Sequence, residues 1–288
     1  MDYFSLLLAT LVSGLLLGGI YALFGVGMAL IYGVINVINF AHGSFVMLGM
    51  YIAYTLFISY SMDPYLSIII STPLIFMMGY LIQKHMIFRV LGGPRLTQLL
   101  LTMGILLILE NVALLIWGPG ARSVRVDYLA EPIRLGFISI GKGRLIAFLA
   151  AMLLAYLVYK FLYSTEYGKA IRAVAQDLDG ARVVGINVSH MYAVAFGIAC
   201  ACASIAGTLI STFHYAHPFV ASSFLLISLV VLVMGGLSSI KGAVISGLFI
   251  GVLESLGLSF LPGSAGQLVI FAVFVIVLLV KPQGLFQT

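Results

Sequence analysis

Long apolar runs separated by short polar segments make up most of this chain. A bilayer span requires roughly 20 apolar residues, and several runs approach that length. The runs cover residues 5–31, 44–60, 65–82, 96–117, 144–163, 191–213, 224–233, the glycine-rich stretch up to Glu254, and 267–280. We therefore predict an all-α fold, a polytopic transmembrane helical bundle with about eight or nine spans.

The main polar exception is residues 166–186, which read EYGKAIRAVAQDLDGARVVGI. Their spacing predicts helices, because small and apolar residues recur at steps of three and four and so share one face. These are Ala170, Val174, Leu178, Ala181 and Gly185.

We expect Asp177 to cap a second short helix, and Gly180 disfavours a single unbroken one. Two helices on the cytoplasmic face, with the small residues docking another protein, are one interpretation. An amphipathic connector at the lipid headgroups is the other.

Polar residues also interrupt the apolar runs themselves. Residues 39–43 read NFAHG, which predicts a break between two half-helices, either along a wet pathway or as a plain cytoplasmic turn. Carboxylates within spans are costly and mark functional hypotheses. The candidates for lining a pathway are Asn36, Asn39, His42, Glu110, Asn111 and Glu254.

Glycines are concentrated near the end of the chain, where they predict close helix packing. Small residues allow helix backbones to approach in lipid, and Gly247 and Gly251 have the four-residue spacing that permits a tight crossing. We predict a packing and sliding surface formed by Gly235, Gly236, Gly242, Gly247 and Gly251.

Residues 118–143 form the longest segment outside the predicted spans. Alternating residues in 123–127 and 133–138 predict a small hairpin. The run from Gly136 to Gly143 resembles a phosphate-binding loop, but Gly143 stands where the motif needs Ser or Thr, and a membrane span follows. We therefore reject ATP hydrolysis by this chain.

Composition and charge agree with a membrane protein. The chain of 288 residues is 62% hydrophobic and 8% charged, with a mean hydropathy of +1.20. These values exclude a monomer dissolved in water. The net charge of +5 does not indicate nucleic acid, because the basic residues flank apolar runs.

Cysteine and histidine usage indicates no metal site. Cys200 and Cys202 lie in an apolar run and are expected to be buried. His214 and His217 lack further ligands nearby. The first apolar run has no basic region before it, so we expect an uncleaved membrane helix.

Alternation from an outside N-terminus predicts the C-terminus inside. The basic residues expected inside are Lys84, Arg89, Arg95, Lys160, Lys169, Arg172, Arg182, Lys241 and Lys281. Those expected outside are Arg122, Arg125, Arg134, Lys142 and Arg144. This weak bias has the sign of the positive-inside rule.

Four stretches together resemble a known family. They are residues 32–43, 102–111, 172–186 and 235–251, and they occur in the family's order over most of the chain. On these stretches the chain resembles the permease subunits of ATP-binding-cassette importers for branched-chain amino acids, the LivH type.

The resemblance implies a single permease domain over residues 1–288 in the inner membrane, with an extracytoplasmic insertion at 118–143 and a cytoplasmic coupling loop at 164–190. It implies that the chain is not an enzyme, needs no cofactor and works by alternating access. The implied partners are a homologous second permease, two ATPase subunits, a periplasmic or lipid-anchored solute-binding protein and membrane lipid.

By this resemblance the loop contacts an ATPase through Glu166, Gly168, Arg172, Ala173, Asp177, Ala181, Gly185 and Ile186. The older loop signature of such importers begins with Glu-Ala-Ala. This chain departs from it, because Asp177 stands four residues before Ala181.

Other functions remain open at this point. The substrate is a branched-chain or similar small hydrophobic amino acid, or a short amide or urea. A self-contained transporter coupled to ions through Glu110 and Glu254 is a different class. An intramembrane enzyme is disfavoured, because no HExxH or triad-like grouping occurs.

Overall fold

The computed structural model describes residues 3–135, 138–261, 265–281 and 284–285. The long helices there are α1 (Tyr3–Ile35), α2 (His42–Tyr60), α3 (Ile68–Ile82), α5 (Arg95–Trp117), α7 (Lys142–Ser164), α10 (Val188–Ile210), α11 (Val220–Gly235), α12 (Ile240–Phe260) and α13 (Ala265–Val280). The shorter elements are a π-helix (Gln83–Ile87), α4 (Phe88–Val90), α6 (Asp127–Ala130), β1 (Pro132–Leu135), β2 (Ile138–Gly141), α8 (Glu166–Gln176) and α9 (Leu178–Val183).

The predicted all-α polytopic bundle is confirmed. Within the described residues, six helices are long and apolar enough to cross a membrane, namely α1, α2, α5, α7, α10 and α12. Two shorter apolar helices cover Val220–Gly235 and Gln267–Val280. The remaining predicted pass is α3, which the π-helix and α4 continue without a break to Val90.

Helix α10 lies at the centre of the bundle. Its membrane-spanning window is 89% buried, and it packs against α1, α2 and α3. Its many Ala, Gly, Ser and Cys residues explain this position, because small side chains let several neighbouring helices approach one backbone.

Helices α1 and α12 form the most extensive helix pair, and glycines line their contact. A Cβ atom added to Gly247 would overlap the backbone of Ala22, and one added to Gly251 would overlap that of Gly18. On the facing helix, a Cβ at Gly14 would lie 2.7 Å from the Val252 Cα. The two helices therefore touch through their backbones.

The break after α1 lies slightly earlier than predicted. Helix α1 ends at Ile35, Asn36 has a left-handed φ of 57°, and residues 36–41 are non-helical. His42 and Gly43, which we expected inside the break, begin α2 instead.

This break lies deep in the bundle. The His42 ring bonds the Phe24 carbonyl, and Phe24 lies about 16 Å along α1 from Ile35 at 1.5 Å per residue. Residues 36–41 therefore run back along α1 from its end, and α2 starts within the bundle.

The hairpin in the 118–143 insertion is present, but its strands are not those predicted. β1 and β2 pair antiparallel with Leu135 opposite Ile138, while residues 123–127 form no strand. The first predicted strand is replaced by a single bridge between Arg122 and Ala216. An alternating segment forms a strand only where a neighbouring strand can pair with it. Here the only such pairing within the described residues is the bridge from Arg122 to Ala216, in the turn between α10 and α11. Gly136 and Phe137 lie outside the described residues.

The bundle has two distinct ends. The coupling-segment end, defined by residues 165–187, also contains the close of α1 and the turn before Ile240. The insertion end, defined by residues 118–141, also contains Tyr65, whose hydroxyl donates to the Gly143 carbonyl (3.0 Å).

Candidate functional site

The coupling segment is fixed to the end of α7 at its first turn. Thr165 caps α8, since its hydroxyl accepts the Gly168 N–H (3.0 Å) and also donates to the Phe161 carbonyl (2.7 Å). Gly168 packs so closely that a Cβ atom there would overlap the backbone of Phe161 and Leu162. Only glycine fits this contact without a shift of one helix.

The buried face of the segment differs in part from the predicted face. Val174 and Ala181 are buried as the predicted stripe requires, but Ala170 and Leu178 are half-buried and Gly185 is exposed. Gly168 and Ile171, which lay outside that stripe, are buried. The stripe assumed one continuous helix, whereas the backbone turns at Asp177 and changes the facing residues.

Arg172 is turned toward the chain itself. Its Nε donates to the Leu162 carbonyl (3.0 Å), and its guanidinium lies 4.5 Å from the centre of the Tyr163 ring. A cation bound to the last carbonyls of a helix also stabilises the negative end of that helix. Arg172 therefore anchors α8 to α7.

The predicted cap at Asp177 is confirmed. Its Oδ1 accepts the N–H groups of Asp179 (3.1 Å) and Gly180 (3.0 Å). The chain breaks at Asp177 itself, where φ is −145°, and Gly180 lies within α9. A side chain at Gly180 would collide with the Asp177 carboxylate, which explains glycine there.

The segment ends at a glycine turn. Gly185 has a φ of +81°, and the Ile186 N–H donates to the Ala181 carbonyl (3.0 Å) across the turn. This is the left-handed helix ending that favours glycine. The anchored start, the cap and this turn together give the short helices α8 and α9 a defined position.

Two valines project from the anchored segment, and the sequence analysis did not single them out. Val183 is 87% exposed and Val184 is 74% exposed. They adjoin an exposed ion pair between Arg182 and Asp179 (3.2 Å). The signal available in the sequence was this adjacent pair of valines inside a polar segment. Of the other predicted contact residues, Glu166 is exposed and Ala173 and Ile186 are half-buried.

Cavities surround the end of α1 beneath the coupling segment. One of about 160 Å³ lies between α1, α7 and α8 and is lined by Gly33, Leu162 and Ile171 among others. Another of about 420 Å³ is lined by Asn36, Gln176 and Tyr192 among others. Both cavities therefore adjoin the end of α1 and helix α8.

Of the six candidate pathway residues, Asn39 and His42 lie together. Both are fully buried at the start of α2. The Asn39 Oδ1 accepts the Ala41 N–H (3.1 Å). Asn36 is exposed at the end of α1, beside the coupling segment.

The other candidates lie on separate helices. Glu110 is buried in α5 and its Oε1 accepts the Ser222 hydroxyl (2.9 Å). Asn111 is exposed on the outer face of the same helix and donates to the Leu107 carbonyl (2.8 Å). Glu254 is buried in α12 beside Tyr21, and within the described part of the chain its Oε2 lacks a hydrogen-bond partner.

The glycines predicted for helix packing lie at two contacts. Gly235 and Gly242 meet where α11 turns into α12, and Gly236 between them has a φ of +85°. Gly247 and Gly251 face α1, as described above. Among the described residues, no group of three or more His, Cys, Asp or Glu is placed to hold a metal ion.

Fold and site define a polytopic helical membrane protein with an amphipathic segment anchored at one end. Residues 10–278 match the family described as "Branched-chain amino acid transport system / permease component". The chain belongs to this family, and it is a multi-pass membrane permease.

Relatives with curated descriptions align with this chain over nearly its full length. The chain is 29% identical to the high-affinity branched-chain amino acid transport system permease protein BraD of Pseudomonas aeruginosa, over 96% of this chain and 95% of the relative. It is 29% identical to LivH of Escherichia coli K12, over 99% and 96% respectively. A probable LivH of Methanocaldococcus jannaschii is 28% identical over 91% and 87%. No solved structure matches the chain significantly.

Proposed function

We propose that the chain is the permease subunit of an ATP-driven importer and forms half of the pathway for branched-chain or similar small hydrophobic amino acids. Its energy comes from two ATPase subunits, and it works with a homologous permease and a solute-binding protein. The substrate class rests on the names of its relatives.

The observation that carries this proposal is the exposed tip of a firmly anchored segment. Val183 and Val184 present apolar surface beside charged residues, while Gly168, Arg172 and Asp177 fix the base. Exposed apolar groups rimmed by polar ones are typical of protein contact sites. A rigid base is needed to transmit the movement of a docked ATPase to α1 and α7.

Orientation follows from the basic residues. Of the nine expected inside, Lys169, Arg172 and Arg182 belong to the coupling segment, and Lys241 lies over the Tyr159 ring. The five expected outside belong to or adjoin residues 118–143. By the positive-inside rule the coupling segment is cytoplasmic. The N-terminus is then outside and the C-terminus inside.

The proposal is tested by introducing a negative charge at Val183, in the exposed pair Val183 and Val184. In the importer reconstituted with its ATPases, Val183→Asp is expected to abolish ATPase association and leucine uptake while the variant chain stays folded. Tyr215→Asp, at an exposed site toward the insertion, is the control and is expected to change neither. Full association and uptake by Val183→Asp would exclude docking through this tip.

A second candidate is an ion-coupled transporter that needs no ATPase. The observation in its favour is the buried Glu254, whose Oε2 is unpartnered among the residues that the structure describes, since carboxylates inside a membrane mark ion pathways. The purified chain alone in liposomes would then accumulate leucine under a proton or sodium gradient. Uptake that requires ATP and the ATPases excludes this candidate, and uptake of short amides or urea in place of leucine would change the assigned substrate.

A further inference from the structure

Three side chains at the start of α2 each have one buried polar atom that lacks a hydrogen-bond partner among the described residues. Asn39, His42 and Ser44 are each 0% exposed. Among the described residues, the Asn39 Nδ2, the His42 Nδ1 and the Ser44 Oγ are unpartnered. An unpartnered buried polar group costs about 1–3 kcal/mol, so three within six residues of chain favour a hydrogen-bonding ligand or a buried water there.

The hydrogen bond to Phe24 fixes the role of each nitrogen of His42. A carbonyl only accepts, so the His42 Nε2 that lies 3.1 Å from the Phe24 oxygen carries the hydrogen. In the neutral ring the unpartnered Nδ1 is then an acceptor. The Asn39 Nδ2, in contrast, is a donor.

The helix itself adds a second donor region. The N–H groups of His42 and Ser44 bond to the Asn39 and Ala41 carbonyls, whereas the Gly43 N–H makes no such bond among the described residues. Helix α2 has 19 residues and no side chain caps its first turn. Its positive end therefore favours a negative group.

The side chain of Asn39 lies next to the residue that precedes this helix. Its Oδ1 accepts the N–H of Ala41, the N-cap residue of α2, and the unpartnered Nδ2 belongs to the same amide group. Donors for an anion thus come from the Asn39 side chain and the helix start, and an acceptor comes from His42.

Neighbouring helices make room for these groups and surround them with apolar atoms. A Cβ at Gly27 would lie 3.0 Å from the His42 ring, so glycine leaves space for the imidazole. Gly43 backs directly on Ala221 of α11. The Phe24 and Phe224 rings pack nearby with centroids 5.2 Å apart. Electrostatic contacts strengthen in such surroundings.

We propose that the start of α2 is a binding site for the zwitterionic main-chain group of the transported amino acid, with its carboxylate on the Asn39 Nδ2 and the α2 N-terminus and its ammonium on the His42 Nδ1. The proposal rests on the proposed transport function. The site is closed in this structure, since all three side chains are fully buried, and it opens in another state of the transport cycle.

The test measures binding by the full chain in lipid nanodiscs, with radiolabelled leucine displaced by leucine, leucinamide or 4-methylpentanoate. Leucinamide lacks the carboxylate and 4-methylpentanoate lacks the ammonium. For the unchanged chain, each analogue is expected to bind about tenfold more weakly than leucine, as the loss of one charged hydrogen-bonded contact predicts.

Asn39→Asp is the decisive variant. It retains the Oδ1 that accepts from Ala41 but replaces the donor with a negative oxygen, so the preference for leucine over leucinamide is expected to invert. Asn187→Asp is the matched control, because Asn187 also caps a helix, α10, by accepting the His190 N–H (3.0 Å). It is expected to leave both affinities unchanged.

His42→Phe provides an independent measurement should Asn39→Asp not fold. It is expected to weaken leucine about tenfold and to leave 4-methylpentanoate unchanged, because only the ammonium contact is lost. Unchanged ligand preference in the folded variants would overturn the site and leave buried water as its occupant.

Measurements on the chain without substitutions distinguish a failure of the proposed binding site from a failure of the proposed transport function. No saturable leucine binding by the chain, together with ATP-dependent leucine uptake by the complete importer, would overturn the site alone. No leucine uptake by the complete importer would overturn the transport function and, with it, the site.

Discussion

The two ends of the bundle are built on different principles. At the coupling-segment end, α8 and α9 are held by buried residues such as Ile171 and Ala181 and by hydrogen bonds to the backbone of α7. At the insertion end, an exposed ion pair between Lys142 and Glu131 flanks the β1–β2 hairpin, and Val124 and Leu129 are buried. Among the described residues, side-chain caps and an overlapping glycine contact fix a short helix only at the coupling-segment end.

From this difference we expect the coupling-segment end to transmit force. Caps and close backbone contacts resist displacement, whereas an exposed ion pair contributes little. We therefore expect changes at the base of the coupling segment to affect transport strongly and equivalent changes at the insertion end to affect it little.

The largest effect is expected from Gly168→Val. The new side chain would overlap the backbone of Phe161 and Leu162 and push α8 away from α7. Overpacking of this kind costs about 1–3 kcal/mol, and uptake is expected to fall at least about tenfold. Measurements are thermal unfolding and leucine uptake.

Its control is Gly120→Val at the insertion end, where no atom lies within 4 Å of an added Cβ. Both quantities are expected to stay at the level of the unchanged chain. Equal losses in the two variants would remove the proposed difference between the ends.

Asp177→Ala is expected to have the next largest effect. It removes the cap from α9 and leaves the N–H groups of Asp179 and Gly180 without their acceptor. Loss of such a cap costs about 1 kcal/mol. Hydrogen exchange of residues 178–183 should accelerate about fivefold. Asp179→Ala, which removes only an exposed ion pair, should change exchange less; the reverse order would contradict the capping role.

Gly185→Ala and Gly118→Ala form a pair across the two ends. Both glycines have positive φ, +81° and +76°, and Gly118 also has a ψ of 178°, a region essentially restricted to glycine. We expect Gly118→Ala to lose at least as much thermal stability as Gly185→Ala, but we expect reduced uptake only for Gly185→Ala, because its turn ends the coupling segment. Reduced uptake in both variants would show that both ends affect transport, contrary to the expected difference between them.

The smallest effect is expected from the ion pair at the insertion end. The hydrogen bond and charge of Lys142 lower the pKa of the Glu131 carboxyl. The pair therefore contributes above the ordinary carboxyl pKa, and this contribution is lost as the pH falls through the lowered value.

Lys142→Met should accordingly lower the thermal midpoint slightly at pH 7, and the difference should vanish in acid. Lys169→Met removes the more exposed Lys169–Glu166 pair at the other end and serves as the control. A large loss at pH 7 for Lys142→Met would mean that the hairpin is a main support of the fold.

Predictions that depend only on residues close in sequence agree with the structure. The lengths of the apolar runs gave the helical passes, and Asp177 was identified as a cap because a carboxylate before a short helix needs no distant partner. The strands of the hairpin were misplaced, because the alternation in residues 123–127 could not show that Arg122 would pair with Ala216 instead.

The candidate site depended more on distant contacts. Arg172 stays a predicted docking residue, and the structure adds that its Nε donates to the carbonyl of Leu162, ten residues earlier. Glu110 and Asn111 stay predicted pathway residues, but as neighbours on a helix they face different directions, and only Glu110 is buried.

The sequence by itself determined the membrane class, the approximate spans and the two-helix form of residues 166–186, because run length, caps and glycine turns act within a few residues. Only the tertiary structure decided that His42 meets Phe24 and that Gly251 touches Gly18. Such contacts depend on how whole helices pack, and helices of similar apolar composition do not specify their partners through local pattern.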